Sequence, residues 1–403
     1  MGRDRLWISA AEAASLLGVT RATLYAYVSR GFVRSQAMPG SAHARRYARD
    51  DLEQLRRRTE ERRNPDKAAA RALQWGMPVL ESAITLIDGQ RLYYRGHDGL
   101  ALARTRSIEE VASLIWTGRF DTPLRTPPHT RIEWKGDADL PFAARAQSML
   151  ATASGHDPAA FDLRPERVAA CGWRILHLLT GAAVPRTDVR DATLTIDQKL
   201  ARRWRVGGRG ADVLRSALIL CADHELNVSS FTARCVASAG SDPYAVVIAG
   251  LSALAGPKHG GAGARLEAML QAVRREGNVR SAIAARLRRG ERLDGFGHPL
   301  YRTGDARATA LLALLQEHYA TSAELRFILE IQRAVAMLIR EKPNLDFALA
   351  AVARVLKLPA GAPLIVFAIG RAIGWIGHAL EQYATDQLIR PRAKYIGEVP
   401  PAG

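Results

Sequence analysis

Cysteine is scarce in this sequence of 403 residues, which contains only three. Cys171, Cys221 and Cys235 form no CxxC pair and no closely spaced set that could ligate a metal. This spacing excludes a disulfide-stapled scaffold and a thiolate metal centre. We therefore expect buried, reduced thiols and a cytoplasmic location.

Long uninterrupted hydrophobic runs are missing as well. The run at 245–256 is too short to span a bilayer, and the longer run at 362–380 contains Arg371 and His378. The first ten residues, MGRDRLWISA, contain no apolar segment typical of a secretory signal. We expect both runs to form buried helices and no membrane to be a partner.

Acidic residues are fewer than basic ones, with 40 Asp and Glu against 57 Lys and Arg and a net charge of +17. Residues 1–75 alone hold 15 basic and 8 acidic residues, so the excess is concentrated there. Such an excess suits nucleic acid or anionic substrates, although ordinary surface composition can also produce it. The hydrophobic share of 48% is that of a globular chain, and its length allows two or three domains.

The N-terminal part has the pattern of a helix-turn-helix module. AAEAASLLG at 10–18 predicts a short amphipathic helix, and RATLYAYVSRG at 21–31 predicts a second helix with Thr20 as its N-cap. Residues 32–58 predict a strand, a Gly/Pro turn, a second strand and a helix capped by Asp50.

This module resembles the winged helix-turn-helix domains of the MerR or excisionase kind. In such domains the second helix lies in the major groove of DNA and the wing contacts phosphates. The resemblance implies DNA as a possible partner of residues 1–55. The alternative is a module that only mediates association. The DNA-binding candidates are Arg21, Thr23, Tyr25, Arg45 and Arg46.

The rest of the chain predicts a mainly α-helical body. A charged helical linker is expected at 56–75, and residues 76–403 then show successive helix-period segments separated by glycine and proline. We expect one β-hairpin at 82–96 and a proline-rich loop at 122–141.

Four segments of the body carry residues suited to catalysis. His224 and Asn227 lie in CADHELNVSSFTAR, His259 in GPKHGGAGAR, His298 in GFGHPLYRTGDAR and Asp346 in EKPNLDFAL. Apolar neighbours would raise the pKa of Asp346 towards that of a working base, although taken by itself this residue is more simply interpreted as a helix N-cap. With the arginines nearby in sequence, the set suits proton abstraction beside a carbonyl of an anionic substrate.

These segments, in this order, resemble the signatures of the citrate synthase family. LESAITLIDGQRLYYRG, DHELNVSSFTAR, GPKHGG, GFGHPLY, NLDF and RPR together span residues 80–392. The resemblance implies a two-domain helical fold with a large domain and a small one at about 254–360, preceded by the winged helix-turn-helix domain. It also implies a homodimer or higher even oligomer.

The resemblance implies a role for each matching residue. Asp346 would remove a methyl proton from acetyl-CoA, His259 would hydrogen-bond the thioester oxygen, and His298 would polarise the carbonyl of oxaloacetate. Oxaloacetate would be bound by His224, Arg307, Arg371 and Arg390, the last supplied by the partner subunit. CoA would be bound by Leu293, Gly295, Phe296, Gly297, Arg302 and Asn344.

The implied activity is condensation of acetyl-CoA with oxaloacetate and water to give citrate and CoA, an acyl transfer of the tricarboxylic acid cycle. Acetyl-CoA is a co-substrate, and neither a metal nor another cofactor is implied. Gly263 and Pro299 depart from the residues common in the family, which leaves 2-methylcitrate formation from propionyl-CoA open. A DNA-binding regulator whose body senses CoA or a carboxylate is the other alternative.

Overall fold

The computed structural model describes residues 7–38, 44–53, 55–56, 80–121, 139–183, 194–301 and 303–398. The expected linker beyond residue 56, most of the expected proline-rich loop and Arg302 lie outside the described residues. The chain divides into two compact units, Met1–Glu81 and Ser82–Gly403.

The first unit contains a small antiparallel sheet and short helices. Its strands follow the order β1-β3-β2, and helices α1 and α2 lie between β1 and β2 in the chain. The elements are β1 Trp7–Ser9, α1 Ala10–Leu17, α2 Arg21–Ser29, β2 Ser35–Ala37 and β3 Arg45–Ala48.

Local capping explains where these helices begin. The Ser9 side chain accepts a hydrogen bond from the Glu12 backbone and completes a capping box for α1. Thr20 caps α2 as the sequence predicts, by accepting from the backbone of Thr23. The predicted cap at Asp50 is wrong, because residues 49–53 are all helical and Asp50 lies inside the first turn.

The second unit is mainly helical, which confirms the predicted fold class. The predicted hairpin forms as β4 and β5, with Thr85 paired to Tyr94 and Asp88 to Arg91. A third short strand joins it, so the sheet order is β4-β5-β6. The strands are β4 Thr85–Asp88, β5 Arg91–Tyr94 and β6 His97–Asp98.

Fourteen α-helices with resolved bounds follow in the described part of this unit. They are α3 Gly99–Thr105, α4 Ile108–Thr117, α5 Phe142–Gly155, α6 Pro165–Ala183, α7 Ile196–Arg203, α8 Gly208–Cys221, α9 Val228–Ser238, α10 Pro243–Leu254, α11 Ala262–Glu276, α12 Val279–Arg288, α13 Ala306–Tyr319, α14 Ala323–Ile339, α15 Leu345–Val355 and α16 Ala362–Thr385.

Helix α16 is the central helix of this unit. By length and apolar composition alone it could cross a membrane, but most of it is buried within the fold. Glycines allow it to approach α8 closely, since a Cβ at Gly370 would lie 2.4 Å from the Leu218 carbonyl oxygen. A Cβ at Gly374 would lie 2.4 Å from the Ala222 carbonyl oxygen. This close approach brings Arg371 beside the end of α8.

Candidate active site

Two of the predicted histidines meet around a tyrosine. The ring centroids of His224 and His298 are 5.3 Å apart, and that of Tyr301 is 5.0 Å from His298. The Tyr301 hydroxyl is 2.8 Å from Nε2 of His224. Nδ1 of His298 accepts the backbone N–H of Leu300 at 3.2 Å. A neutral His298 therefore carries its proton on Nε2 and can donate it.

Burial keeps these imidazoles neutral. It lowers the pKa of His298 to about 4, with a further contribution from the positive charge of Arg307. Burial, Arg307 and Arg371 lower the pKa of His224 well below its ordinary value. Both rings are uncharged near pH 7 and can act as hydrogen-bond donors or acceptors without bringing a charge into the site.

Arg307 is buried beside these rings, with 3% of its surface exposed. Its Nε and Nη2 donate to the two oxygens of Asp305 at 3.0 and 2.8 Å. Its guanidinium carbon lies 5.6 Å from the centre of the Tyr301 ring. Burial opposes the charge of Arg307, but Asp305 more than offsets that effect, and the pKa of Arg307 is raised.

Arg371 projects from the middle of α16 and is only 1% exposed. Its Nε donates to the Cys221 carbonyl oxygen at 2.8 Å, and its guanidinium lies 4.7 Å from the centre of the Phe367 ring. Its buried Nη1 has no hydrogen-bond partner among the described residues. A buried cationic donor without a partner is a suitable anchor for a carboxylate.

His259 lies in the turn before α11, and its ring is within hydrogen-bond distance of a serine hydroxyl. Its Nε2 is 3.0 Å from Oγ of Ser229, a hydroxyl that also accepts the indole N–H of Trp375 at 3.2 Å. Asn227 is the N-cap of α9 and accepts the Ser229 hydroxyl at 2.8 Å. Burial, followed by the charge of Arg371, lowers the pKa of His259 to about 4.

Asp346 lies in the first turn of α15, where Asn344 and not Asp346 is the N-cap. A helix N-terminus favours a carboxylate, yet burial outweighs this and raises the pKa of Asp346 to about 6. Among the charges that act on it, Arg307 lowers its pKa and Asp305 raises it. The carboxyl therefore has the pKa of an effective base near neutral pH.

The loop expected to bind CoA is joined to the start of α15. The Gly297 backbone donates to the Lys342 carbonyl at 2.9 Å, and the Asn344 backbone donates to the Gly295 carbonyl at 2.9 Å. The Phe296 ring packs on Phe347 with centroids 4.7 Å apart. Gly295 has a φ of 88°, a left-handed conformation, and its missing Cβ would lie 2.9 Å from Leu266. Leu293, at 9% exposure, closes one end of the loop.

Arg390 is not brought to this group. It is exposed in the irregular segment after α16, and no hydrogen bond, ion pair or ring contact joins it to the other site residues within the described part of the chain. The residues that sequence reasoning missed are Tyr301, Asp305 and Ser229. All three lie within segments already singled out, but their contacts depend on tertiary packing.

The DNA-binding candidates lie in the first unit. Arg21 and Tyr25 are exposed on α2, while Thr23 is partly buried and its hydroxyl is 3.0 Å from that of Thr20. On β3, Arg45 is exposed and Arg46 is partly buried. A cluster of Ala13, Leu24, Val33, Tyr47 and Leu52 forms the core beneath them.

The three cysteines are free thiols, as the spacing predicts. Cys171 and Cys221 are buried, and burial raises the pKa of both thiols to about 12. Cys235 is only partly buried, which corrects the expectation that all three would lie in the core.

Comparison with known proteins gives matches to both parts of the chain. A family model described as the citrate synthase C-terminal domain matches residues 72–156 and 143–392. A model described as a helix-turn-helix domain matches residues 7–59.

Citrate synthase 2 of Bacillus subtilis is 39% identical, over 82% of this chain and 96% of its own length. The 2-methylcitrate synthase of Shewanella oneidensis is 28% identical, over 81% of this chain and 94% of its own length. The crystal structure of citrate synthase from Thermotoga maritima MSB8 aligns with a TM-score of 0.66 at 26% identity, over 81% of this chain and 96% of that one. The chain belongs to the citrate synthase family.

Proposed function

We propose that this enzyme condenses acetyl-CoA with oxaloacetate and water to give citrate and CoA. The observation that carries the proposal is the chemistry of a set of partly buried side chains. A carboxyl whose pKa is about 6, Asp346, has Arg307 as the charge that lowers its pKa most. Two neutral histidines, His259 and His298, have pKa values of about 4. Enolisation of a thioester beside a dicarboxylate needs these groups together.

In the first step, ionised Asp346 takes a proton from the methyl group of acetyl-CoA. The electron pair of the broken C–H bond moves towards the thioester oxygen, which becomes an enol or enolate. His259 would donate a hydrogen bond to that oxygen from Nδ1. Its Nε2 would then accept the Ser229 hydroxyl, which is 3.0 Å away and would turn its hydrogen from Asn227 to the imidazole. A neutral imidazole suits this role, because it can donate from Nδ1 without bringing a positive charge into the site.

In the second step, the enol carbon attacks the ketone carbon of oxaloacetate. A carbon–carbon bond forms, and the ketone oxygen gains the negative charge and takes the Nε2 proton of His298, which the imidazole recovers from solvent. His298 would stabilise that oxygen through its Nε2–H, the tautomer fixed by the Leu300 backbone. Water then attacks the thioester carbon of citryl-CoA, the C–S bond breaks, and the CoA thiol leaves.

The carboxylates of oxaloacetate would be bound by Arg307, Arg371 and His224. Arg371 offers the unpartnered Nη1, and Arg307 offers the Nη1 end of a guanidinium whose other edge is held by Asp305. Arg390 would reach this site from a second copy of the chain, which makes the functional protein a homodimer or a higher even oligomer. We propose that CoA is bound by residues 293–297 and Asn344, and by Arg302, which lies outside the described residues.

The first experiment is a free-thiol release assay on the purified protein. Acetyl-CoA and propionyl-CoA are each supplied with and without oxaloacetate, and an Asp346→Asn variant is assayed beside the wild type. We expect release that depends on oxaloacetate and falls about 10²–10⁴-fold in the variant. Release that persists in the variant, or none at all from the wild type, would contradict the proposal.

The acyl preference decides between citrate and 2-methylcitrate. The Shewanella oneidensis relative favours keeping the second product under test. Gly263 and Pro299 flank the two histidine turns, where they could alter the acyl pocket. One methylene changes binding in a hydrophobic pocket by only about 1–3 kcal/mol, so kcat/KM must be compared for both thioesters.

For residues 1–55 we propose DNA binding in the cytoplasm, with residues 56–75 as a linker to the enzyme at 76–403. The match to a helix-turn-helix domain supports this. A duplex-binding titration at several salt concentrations tests it, with Arg45→Ala as the variant. Affinity should fall steeply with salt, and the variant should weaken binding. An affinity that ignores salt would favour a module for association alone.

A further inference from the structure

Asp305 is a buried carboxylate that the proposed reaction does not use. It is 1% exposed, lies at the N-cap of α13, and accepts the backbone N–H of Arg307 at 3.0 Å. It also accepts Nε of Arg307 at 3.0 Å and Nη2 at 2.8 Å. Its Oδ2 accepts the backbone N–H of Leu345 at 3.1 Å.

These four bonds join two parts of the site that are 40 residues apart in the chain. Three of them fix the position of Arg307, whose Nε edge can then make no contact with a substrate. The fourth fixes Leu345, the first residue of α15, directly before Asp346. The orientation of the arginine and the position of the base are thus set by one side chain.

We propose that Asp305 is a positioning residue: it holds Arg307 with its Nη1 end towards oxaloacetate and ties that arginine to the helix turn that carries Asp346. The inference rests on the proposed function. Asp305 touches no substrate, and it acts through the two groups it aligns.

The charge of Asp305 also matters for the base. The charged groups that act on Asp346 are Arg307 and Arg265, which lower its pKa, and Asp305 and Asp294, which raise it. Removing the negative charge at 305 should therefore lower the pKa of Asp346, because the opposing charge of Arg307 remains. A residue that merely stabilises the fold would leave this pKa unchanged.

The test uses two variants that keep the helix cap. In Asp305→Asn and Asp305→Ser the side chain can still accept the Arg307 backbone N–H, since Asn and Ser are both good N-caps. Neither side chain can form the charged, two-bond fork to Arg307. A serine that caps the helix is also too short to reach the Leu345 backbone. The matched control is Ser322→Ala, which removes the N-cap of α14 and touches neither Arg307 nor Leu345.

Oxaloacetate binding is measured by calorimetry, and turnover by thiol release across pH. In both Asp305 variants we expect the Kd for oxaloacetate to rise at least about tenfold. We also expect the acidic limb of kcat to move to lower pH, with little change in KM for the acyl-CoA. Ser322→Ala should change neither the Kd for oxaloacetate nor the position of the acidic limb of kcat.

Wild-type Kd and an unmoved limb in folded Asp305 variants would overturn the proposal. A loss of oxaloacetate affinity equal to that of the Ser322→Ala control would also overturn it. A wild type that binds oxaloacetate but releases no thiol would contradict the proposed function alone, and the Kd comparison would still decide the role of Asp305. A wild type that binds no oxaloacetate would overturn both.

Discussion

Replacing Asp346 with asparagine should abolish turnover and at the same time stabilise the protein above about pH 6. Burial raises the pKa of this carboxyl from its ordinary value of 3.8 to about 6. The folded state therefore holds the proton more tightly than the unfolded state does. Stability is lost as the pH rises from about 4 to about 6 and the carboxyl is forced to ionise in place.

The size of the effect follows from the two pKa values. Moving a carboxyl from 3.8 to about 6 destabilises the ionised folded state by about 3 kcal/mol at most. An amide of the same shape has no charge to desolvate, so Asp346→Asn should recover roughly 1–3 kcal/mol at about pH 8. Below about pH 4 the wild-type carboxyl is neutral in both states, and the two proteins should differ little.

Urea unfolding followed by circular dichroism measures this difference at both pH values. Glu330→Gln is the matched control, because Glu330 is an exposed carboxylate on α14. That variant should show no stability gain that depends on pH. If Asp346→Asn is equally stable or less stable than the wild type at about pH 8, then burial does not raise this pKa. The assignment of the base would then lose its physical support.

Three further results are expected. The rate of thiol release should fall as the pH drops through about 6, since Asp346 must be ionised; a limb near 4 in the pH–rate profile would contradict this. Arg307→Lys should reduce kcat/KM for oxaloacetate by about 10² or more in steady-state assays, because a lysine lacks the planar fork that holds Asp305 with one edge and offers the other to a carboxylate. Gly374→Ala should lower the free energy of unfolding by about 1–3 kcal/mol, since its Cβ would lie 2.4 Å from the Ala222 oxygen. Gly155→Ala, with nothing within 4 Å, should not.

Much of the fold could be predicted from the sequence because the relevant signals are local. Hydrophobic periodicity between glycines and prolines indicates helices, and the pattern around residues 82–96 indicates the hairpin that forms as β4 and β5. The first strand was missed because its three residues gain strand geometry only by pairing with β3. The cap at Asp50 was misassigned by a shift of one or two residues, the usual uncertainty of a helix end.

The candidate site residues follow from sequence motifs by type and by order, but the contacts among them do not. Nothing in the sequence indicates that Asp305 accepts from Leu345, because the bond depends on how α13 packs against α15. Likewise, Ser229 meets His259 only through packing of α9 against the turn before α11. Residues that touch substrate have recurring motifs around them, whereas residues that hold them in place reveal their role only through tertiary contacts.

The two buried arginines explain why the candidate site is suited to a dicarboxylate. Arg307 is neutralised by Asp305, so its burial is compatible with a stable fold. Arg371 has only a neutral carbonyl on its Nε, its Nη1 has no partner in the described part of the chain, and burial lowers its pKa. An unpaired buried cation destabilises a protein, and the contact of Arg371 with the Phe367 ring offsets this only in part. A carboxylate that accepts a hydrogen bond from Nη1 would remove that penalty. Binding of the carboxylate would therefore also compensate the buried positive charge. For this reason Arg371 is better explained as a binding residue than as a structural one.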